Sequence, residues 1–177
     1  MSFYQVPKFI FNPVAKSKLC SGTILLPADF EGQLYEQVKN GGFTDIILNN
    51  DEHNIQNVEW WESYKNKIDW VVAITQGLKE HTPWITEYGL QVASKGICIL
   101  DRLTFLEPTR SREAFLQNAS LVNMKILSPR PAFRADGKQL KDSVTSAWFF
   151  FQKAGEAVPN TVIDYEVSWL HPKAFQK

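Results

Sequence analysis

The side chains most able to do chemistry in this sequence are cations. Arg102, Arg110, Arg112, Lys125, Arg130, Arg134, Lys138 and Lys141 fall within one 40-residue stretch, opposed only by Glu107, Glu113 and Asp136. The formal net charge is zero, so this stretch is basic by five charges and the rest of the chain acidic by as many. Such a set can hold phosphate oxygens, and the plainer reading is a solvated basic face. Arg130 to Lys138 is the segment best suited to contact, because its Pro and Gly favour an exposed loop. Other chemistries are thinly represented. His53, His81 and His171 form no cluster with Cys20 or Cys98, and neither cysteine has a metal-type spacing, so no metal site is expected. No pair of carboxylates is spaced for general acid–base work, and there is no Gly-x-Ser-x-Gly nucleophile motif or phosphate loop.

The elements that must carry these residues alternate between short apolar runs and helix-length segments, the pattern of an α/β domain with a mostly parallel sheet. Strands are expected at Thr23–Leu26, Phe43–Leu48, Asp69–Ile74 and Gly96–Leu100. Helices are expected at Glu31–Asn40, ended by Gly41-Gly42, at Val58–Lys65, and at Leu78–Ser94 with Pro83 in its first turn. Later come a helix at Thr109–Asn118 and strands at Val122–Leu127, Val144–Gln152 and Val162–Trp169. Trp148 and three consecutive phenylalanines mark the second of these late strands as buried on both faces. Consecutive strands without a crossover helix pair antiparallel, so the sheet is read as doubly wound with an antiparallel edge. Its ligand crevice then lies beyond the strand carboxyl ends.

With 177 residues, 44% of them apolar, the chain can bury the core of one domain spanning 1–177. Cys98, inside an apolar run, reads as an inert buried thiol, and a reducing cytoplasm is expected. No signal peptide or membrane-length apolar stretch stands out, so no membrane partner is expected. Trp60 and Trp61 adjoin charged residues, which implies that at least one is partly exposed. An exposed aromatic patch would serve a partner or a homodimer.

Several motifs follow one another in a telling order. Asp69-Trp70-Val71-Val72 is followed by Lys95-Gly96-Ile97-Cys98-Ile99-Leu100-Asp101-Arg102-Leu103-Thr104-Phe105-Leu106-Glu107, then by Arg110 and Arg112. Arg130-Pro131-Ala132-Phe133-Arg134-Ala135-Asp136-Gly137-Lys138 and Ala147-Trp148-Phe149-Phe150 complete the series. Over roughly the last three-fifths of the chain this order resembles the small DNA adenine-N6 methyltransferases found in phages and mobile elements. The resemblance implies a Rossmann-like class I methyltransferase fold in three α/β/α layers, S-adenosylmethionine as cofactor, and DNA or an active methyltransferase subunit as partner. It also implies that the loops after the late strands, with Arg102, Arg130, Arg134 and Lys138, face DNA.

The family's cofactor motif reads like I-L-E-P-A-A-G-D-G-A-L. Here Pro27, Ala28, Gly32 and Leu34 agree, Leu26 holds the acidic position and Phe30 that of the first glycine. A glycine turn lets a ligand lie on bare backbone, so Phe30 places a ring where the cofactor should pass. Leu26 removes a partner for its amino group, a charge that Asp29 or Glu31 would restore only in a shifted register. The family holds its flipped adenine with Asn or Asp, a proline carbonyl and an aromatic ring. At that place this chain has Ala73-Ile74-Thr75-Gln76-Gly77, where only Thr75 and Gln76 can accept hydrogen bonds, with Trp84 or His81 available to stack. The expectation is a degenerate homologue, a pseudoenzyme with no bound cofactor that acts by binding. The alternatives are an active but divergent S-adenosylmethionine-dependent enzyme and a relic without a selected role.

Overall fold

The computed structural model describes residues 6–133, 144–153 and 164–169. Arg134, Lys138 and Lys141 lie outside them. The elements are α1 (Asn12–Ser17), β1 (Ile24–Leu26), α2 (Gln33–Asn40), β2 (Ile46–Leu48), α3 (Val58–Glu62), β3 (Trp70–Ile74), α4 (Thr82–Val92), β4 (Gly96–Arg102), α5 (Glu113–Asn118), β5 (Ala119–Ser128), β6 (Ser146–Lys153) and β7 (Asp164–Trp169). Short 3-10 turns occupy Glu52–Gln56 and Leu103–Leu106.

The strands form one sheet in the order β2-β1-β3-β4-β6-β5-β7. Among the described strands only β6 runs antiparallel to its neighbours, so the expected mostly parallel sheet carries its antiparallel pairing on the late-strand side. β6 is bonded on both sides, to β4 and β5, and β7 extends the sheet parallel to β5.

Alternation along the buried strands splits the core into two layers. Ile24, Leu26, Trp70, Val72, Cys98, Leu100, Trp148 and Phe150 face α1 and α2. Leu25, Val71, Ala73, Ile97, Ile99, Phe149 and Phe151 face α3, α4 and α5. The result is three α/β/α layers. The indole N–H of Trp148, wholly buried, donates to the Ile10 carbonyl at 2.8 Å, which satisfies it and ties the segment before α1 to the sheet. On the other face the Trp61 indole donates to the Ile55 carbonyl at 2.8 Å.

Cys20 and Cys98 are far apart in sequence but both belong to the first layer, where burial and the adjacent Cys20 thiol push the Cys98 thiol well above its ordinary value. The helices are shorter than the periodicity predicts. α2 begins at Gln33 because Gly32, at φ 69°, turns left-handed just before it. α4 begins at Thr82 and keeps Pro83 in its first turn. α1 was not anticipated from the sequence.

At the amino edge of the sheet Asp69 gathers the Thr23 backbone N–H at 2.9 Å, the Ser94 hydroxyl at 2.9 Å and the Lys95 ammonium at 3.3 Å. The Thr23 hydrogen bond, against a smaller opposing effect of burial, holds its carboxyl below the ordinary value, with Ser94 and Lys95 adding to the pull. This knot ties β1, β3 and β4 at the end away from the crevice.

Candidate functional site

Beyond the carboxyl ends of β1, β3 and β4 lies an open cleft of about 930 Å³. Its walls come from the turn after β1, the segment after β3 with the start of α4, and the end of β4 with the loop into α5. It brings together Ala28, Asp29 and Phe30 with Ile74, Thr75, Gln76 and Gly77, and adds Arg102. Pro27 and Ala73 are buried and do not line it. Arg130 is exposed just past the carboxyl end of β5. Since β4 and β5 run the same way, Arg102 and Arg130 leave the sheet at the same edge.

On the first wall Asp29 is 6% exposed, and its carboxylate accepts from the backbone N–H of Leu34 at 3.1 Å and of Tyr35 at 2.6 Å. It therefore covers the amino terminus of α2, the place where a helix otherwise offers free N–H groups to an anion. Burial raises its carboxyl above the ordinary value, partly offset by the N–H groups of Tyr35, Leu34 and Gln33. Leu26 is fully buried. Gly32 has open space around the position a Cβ would take, so its left-handed backbone rather than crowding explains the glycine. Phe30 is half-buried and meets His81 edge-on, with ring centroids 6.4 Å apart, which spans the two walls at this point. His81 lines the cleft, whereas Trp84 stacks on Tyr88 at 5.1 Å.

On the second wall Thr75 and Gln76 are 2% and 3% exposed, and both are engaged within the chain. The Thr75 hydroxyl donates to Asp101 Oδ2 at 2.6 Å, and the Ser146 hydroxyl donates to Gln76 Oε1 at 2.7 Å. Asp101 also accepts the Arg102 backbone N–H at 2.7 Å. Burial raises the Asp101 carboxyl above its ordinary value, against the Thr75 and Arg102 hydrogen bonds and the positive charges of Arg112 and Arg102. Asp101 is the residue that sequence reasoning missed here. Its signal was a charge standing directly after a buried apolar run, at the strand end where such folds place ligands.

The basic stretch divides into different roles. Arg102, Arg110 and Arg130 are exposed. Arg112 donates to the carbonyls of Thr104 at 2.5 Å, Phe105 at 2.8 Å and Glu107 at 3.4 Å, and lies 5.5 Å from the Phe105 ring centre, so it clamps the loop after β4. Lys125 is only 5% exposed and does not belong to a phosphate-facing surface. Among the described residues no group of three or more His, Cys, Asp or Glu is placed to hold a metal ion. Nor is any helix among them long and apolar enough to cross a membrane.

No protein-family model and no curated protein matches the sequence. Solved structures do match in fold. A protein from Listeria monocytogenes assigned as a class I S-adenosylmethionine-dependent methyltransferase aligns with a TM-score of 0.57 at 13% identity, over 92% of this chain and 65% of that one. A structure assigned as a modification subunit of a type I restriction enzyme from Vibrio vulnificus aligns at 0.57 and 10% identity, over 99% and 51%. The type I restriction-modification methyltransferase subunit from Streptococcus thermophilus gives 0.57 and 10%, over 99% and 52%. This chain thus spans between half and two thirds of the length of those structures. It has a methyltransferase-like, Rossmann-type fold similar to theirs.

Proposed function

We propose that this chain is a degenerate methyltransferase-fold protein of the DNA adenine-N6 type, from a phage or mobile element, that has given up methyl transfer and acts in the cytoplasm by binding. DNA along the carboxyl edge of the sheet is the first ligand, and an active methyltransferase subunit is the other partner. The observation that carries this reading is that polar groups on both walls are already spent inside the chain: Asp29 on α2, Thr75 on Asp101, and Gln76 on Ser146. A methyl donor over the turn after β1 would meet a carboxylate in place of free N–H groups and the Phe30 ring in place of bare backbone. These residues do not fit S-adenosylmethionine. Exposed Arg102 and Arg130 on one sheet edge support phosphate contact, and Arg134 and Lys138 extend the same basic segment in sequence.

One observation favours an active, divergent enzyme instead: the cleft keeps about 930 Å³ and has a half-buried carboxylate, Asp101, in its lining. The two readings separate when the purified protein is incubated with methyl-labelled S-adenosylmethionine and adenine-containing duplex DNA. The proposal expects no label above the protein-free control, and duplex binding that weakens steeply as salt rises. Label in the DNA overturns the loss of catalysis. Absent or salt-insensitive binding removes the DNA ligand.

A further inference from the structure

Two thiols that stand far apart in sequence meet in the core. Cys20 and Cys98 are both free, both belong to the layer that faces α1 and α2, and lie within hydrogen-bond reach of each other. Cys98 is fixed from both sides, since in β4 it pairs with Val72 of β3 and Phe150 of β6. Cys20 is brought to it by the turn after α1. Lys18, at φ 56°, turns the chain left-handed at the end of that helix. The Lys95 ammonium then donates to the Ser21 carbonyl at 3.1 Å and to the Ser21 hydroxyl at 3.2 Å, while Asp69 accepts from the Thr23 N–H. Gly22, at φ 88°, leaves no room for a Cβ against the Asp69 carboxylate, so the turn lies directly on the amino ends of β3 and β4. Cys20 is turned inward from this pinned segment: it is 4% exposed, whereas Leu19, Ser21 and Gly22 around it are exposed.

The two thiols are not equivalent. Cys98 is wholly buried in a strand bonded on both sides, and burial and the neighbouring Cys20 keep it protonated. Taken alone it is inert. Cys20 sits in a short turn between exposed residues, so a local opening of that turn, far smaller than unfolding, brings it to solvent. When the turn closes, Cys98 is the group that waits beside it.

We propose that Cys20 and Cys98 form an oxidant-responsive dithiol site, which peroxide converts into a disulfide stapling the turn before β1 to β4. First the Cys20 sulfur attacks one peroxide oxygen. The O–O bond breaks, Cys20 becomes a sulfenic acid, and its proton leaves with the other oxygen as water. The Cys98 sulfur then displaces the hydroxyl from Cys20, and the Cys98 proton completes a second water. The thiol pair loses two electrons and one peroxide is reduced to two waters. The staple closes a loop that contains β1, β2 and β3. It lies on the amino side of the sheet, so it does not depend on what the crevice binds or whether methyl transfer is lost.

Intact mass and thiol titration of the whole wild-type protein test this. After about 1 mM hydrogen peroxide the single chain should be lighter by two hydrogens and, once denatured, should offer no free thiol. Digestion without reductant should recover the Cys20 and Cys98 peptides joined. The oxidised form should melt about 5 °C above the reduced one, and dithiothreitol should return it. In folded Cys20→Ser, the remaining buried thiol should survive the same treatment. The proposal is overturned by a wild-type chain that keeps both thiols or gains oxygen without losing hydrogens. Linkage between two copies, a linked form that melts no higher, or Cys98 oxidising in folded Cys20→Ser as fast as the wild-type pair would overturn it equally.

Discussion

The turn after β1 and the segment after β3 face each other across the crevice, and Asp29 on the first and Thr75 and Gln76 on the second are engaged within the chain by different means. On the first wall one carboxylate folds back onto its own helix, five and six residues on, and an aromatic ring fills out the turn. On the second wall the partners come from across the sheet: Thr75 from Asp101, and Gln76 from Ser146, 70 residues away. The first arrangement is local and steric, while the second depends on β3, β4 and β6 being registered side by side. A crevice can thus keep its volume while groups along its walls are engaged inside the chain. Shape is set by strand order, whereas reactivity requires groups left unsatisfied.

The largest effect is expected on the second wall. Thr75→Val keeps the shape but leaves the Asp101 carboxylate without its hydroxyl donor, at a cost of about 2 kcal/mol. Urea unfolding at neutral pH measures this, and a loss well under that size would mean the hydroxyl is free for other use. Next comes the first wall. Asp29→Ala uncaps α2 and should cost about 1 kcal/mol. That figure is smaller than at Thr75 because removing the buried carboxylate also relieves its desolvation. A thermal melt reads it, and an unchanged melting temperature would show that the carboxylate contributes no net stability.

The smallest effect concerns charge. Burial raises the folded-state pKa of Asp101, so its protonated form is favoured in the folded chain. That stabilisation is complete below the ordinary carboxylate range and is lost as pH rises through the raised folded value. At neutral pH the ionised group is therefore a net burden. Asp101→Asn keeps an acceptor for Thr75 and should raise the melting temperature slightly at neutral pH, with the gain vanishing on acidification. A gain that grows in acid would contradict the assigned direction.

Much of the scaffold was legible in sequence. Trp70–Ile74, Gly96–Leu100 and Trp148–Phe151 announce buried strands by unbroken apolar runs, and the structure places all three side by side. α1 was not legible, because six residues show no clear period and its position is fixed by distant contacts such as Phe11 against Trp148. The chemistry was legible only in part. Phe30 at a glycine position could be read directly, but Asp29 capping α2 depends on the left-handed turn at Gly32. Lys125 and Arg112 counted as surface charge until the fold buried one and turned the other onto loop carbonyls. Sequence records charge, and only packing decides where it points.

Titration calorimetry with S-adenosylmethionine shows whether Asp29, Thr75 and Gln76, held within the chain, leave the crevice unable to take the donor. The protein as it stands should give no saturable heat up to about 1 mM donor. A clear one-to-one isotherm in the micromolar range would contradict this, because the crevice would then hold the donor despite the internal bonds of Asp29, Thr75 and Gln76.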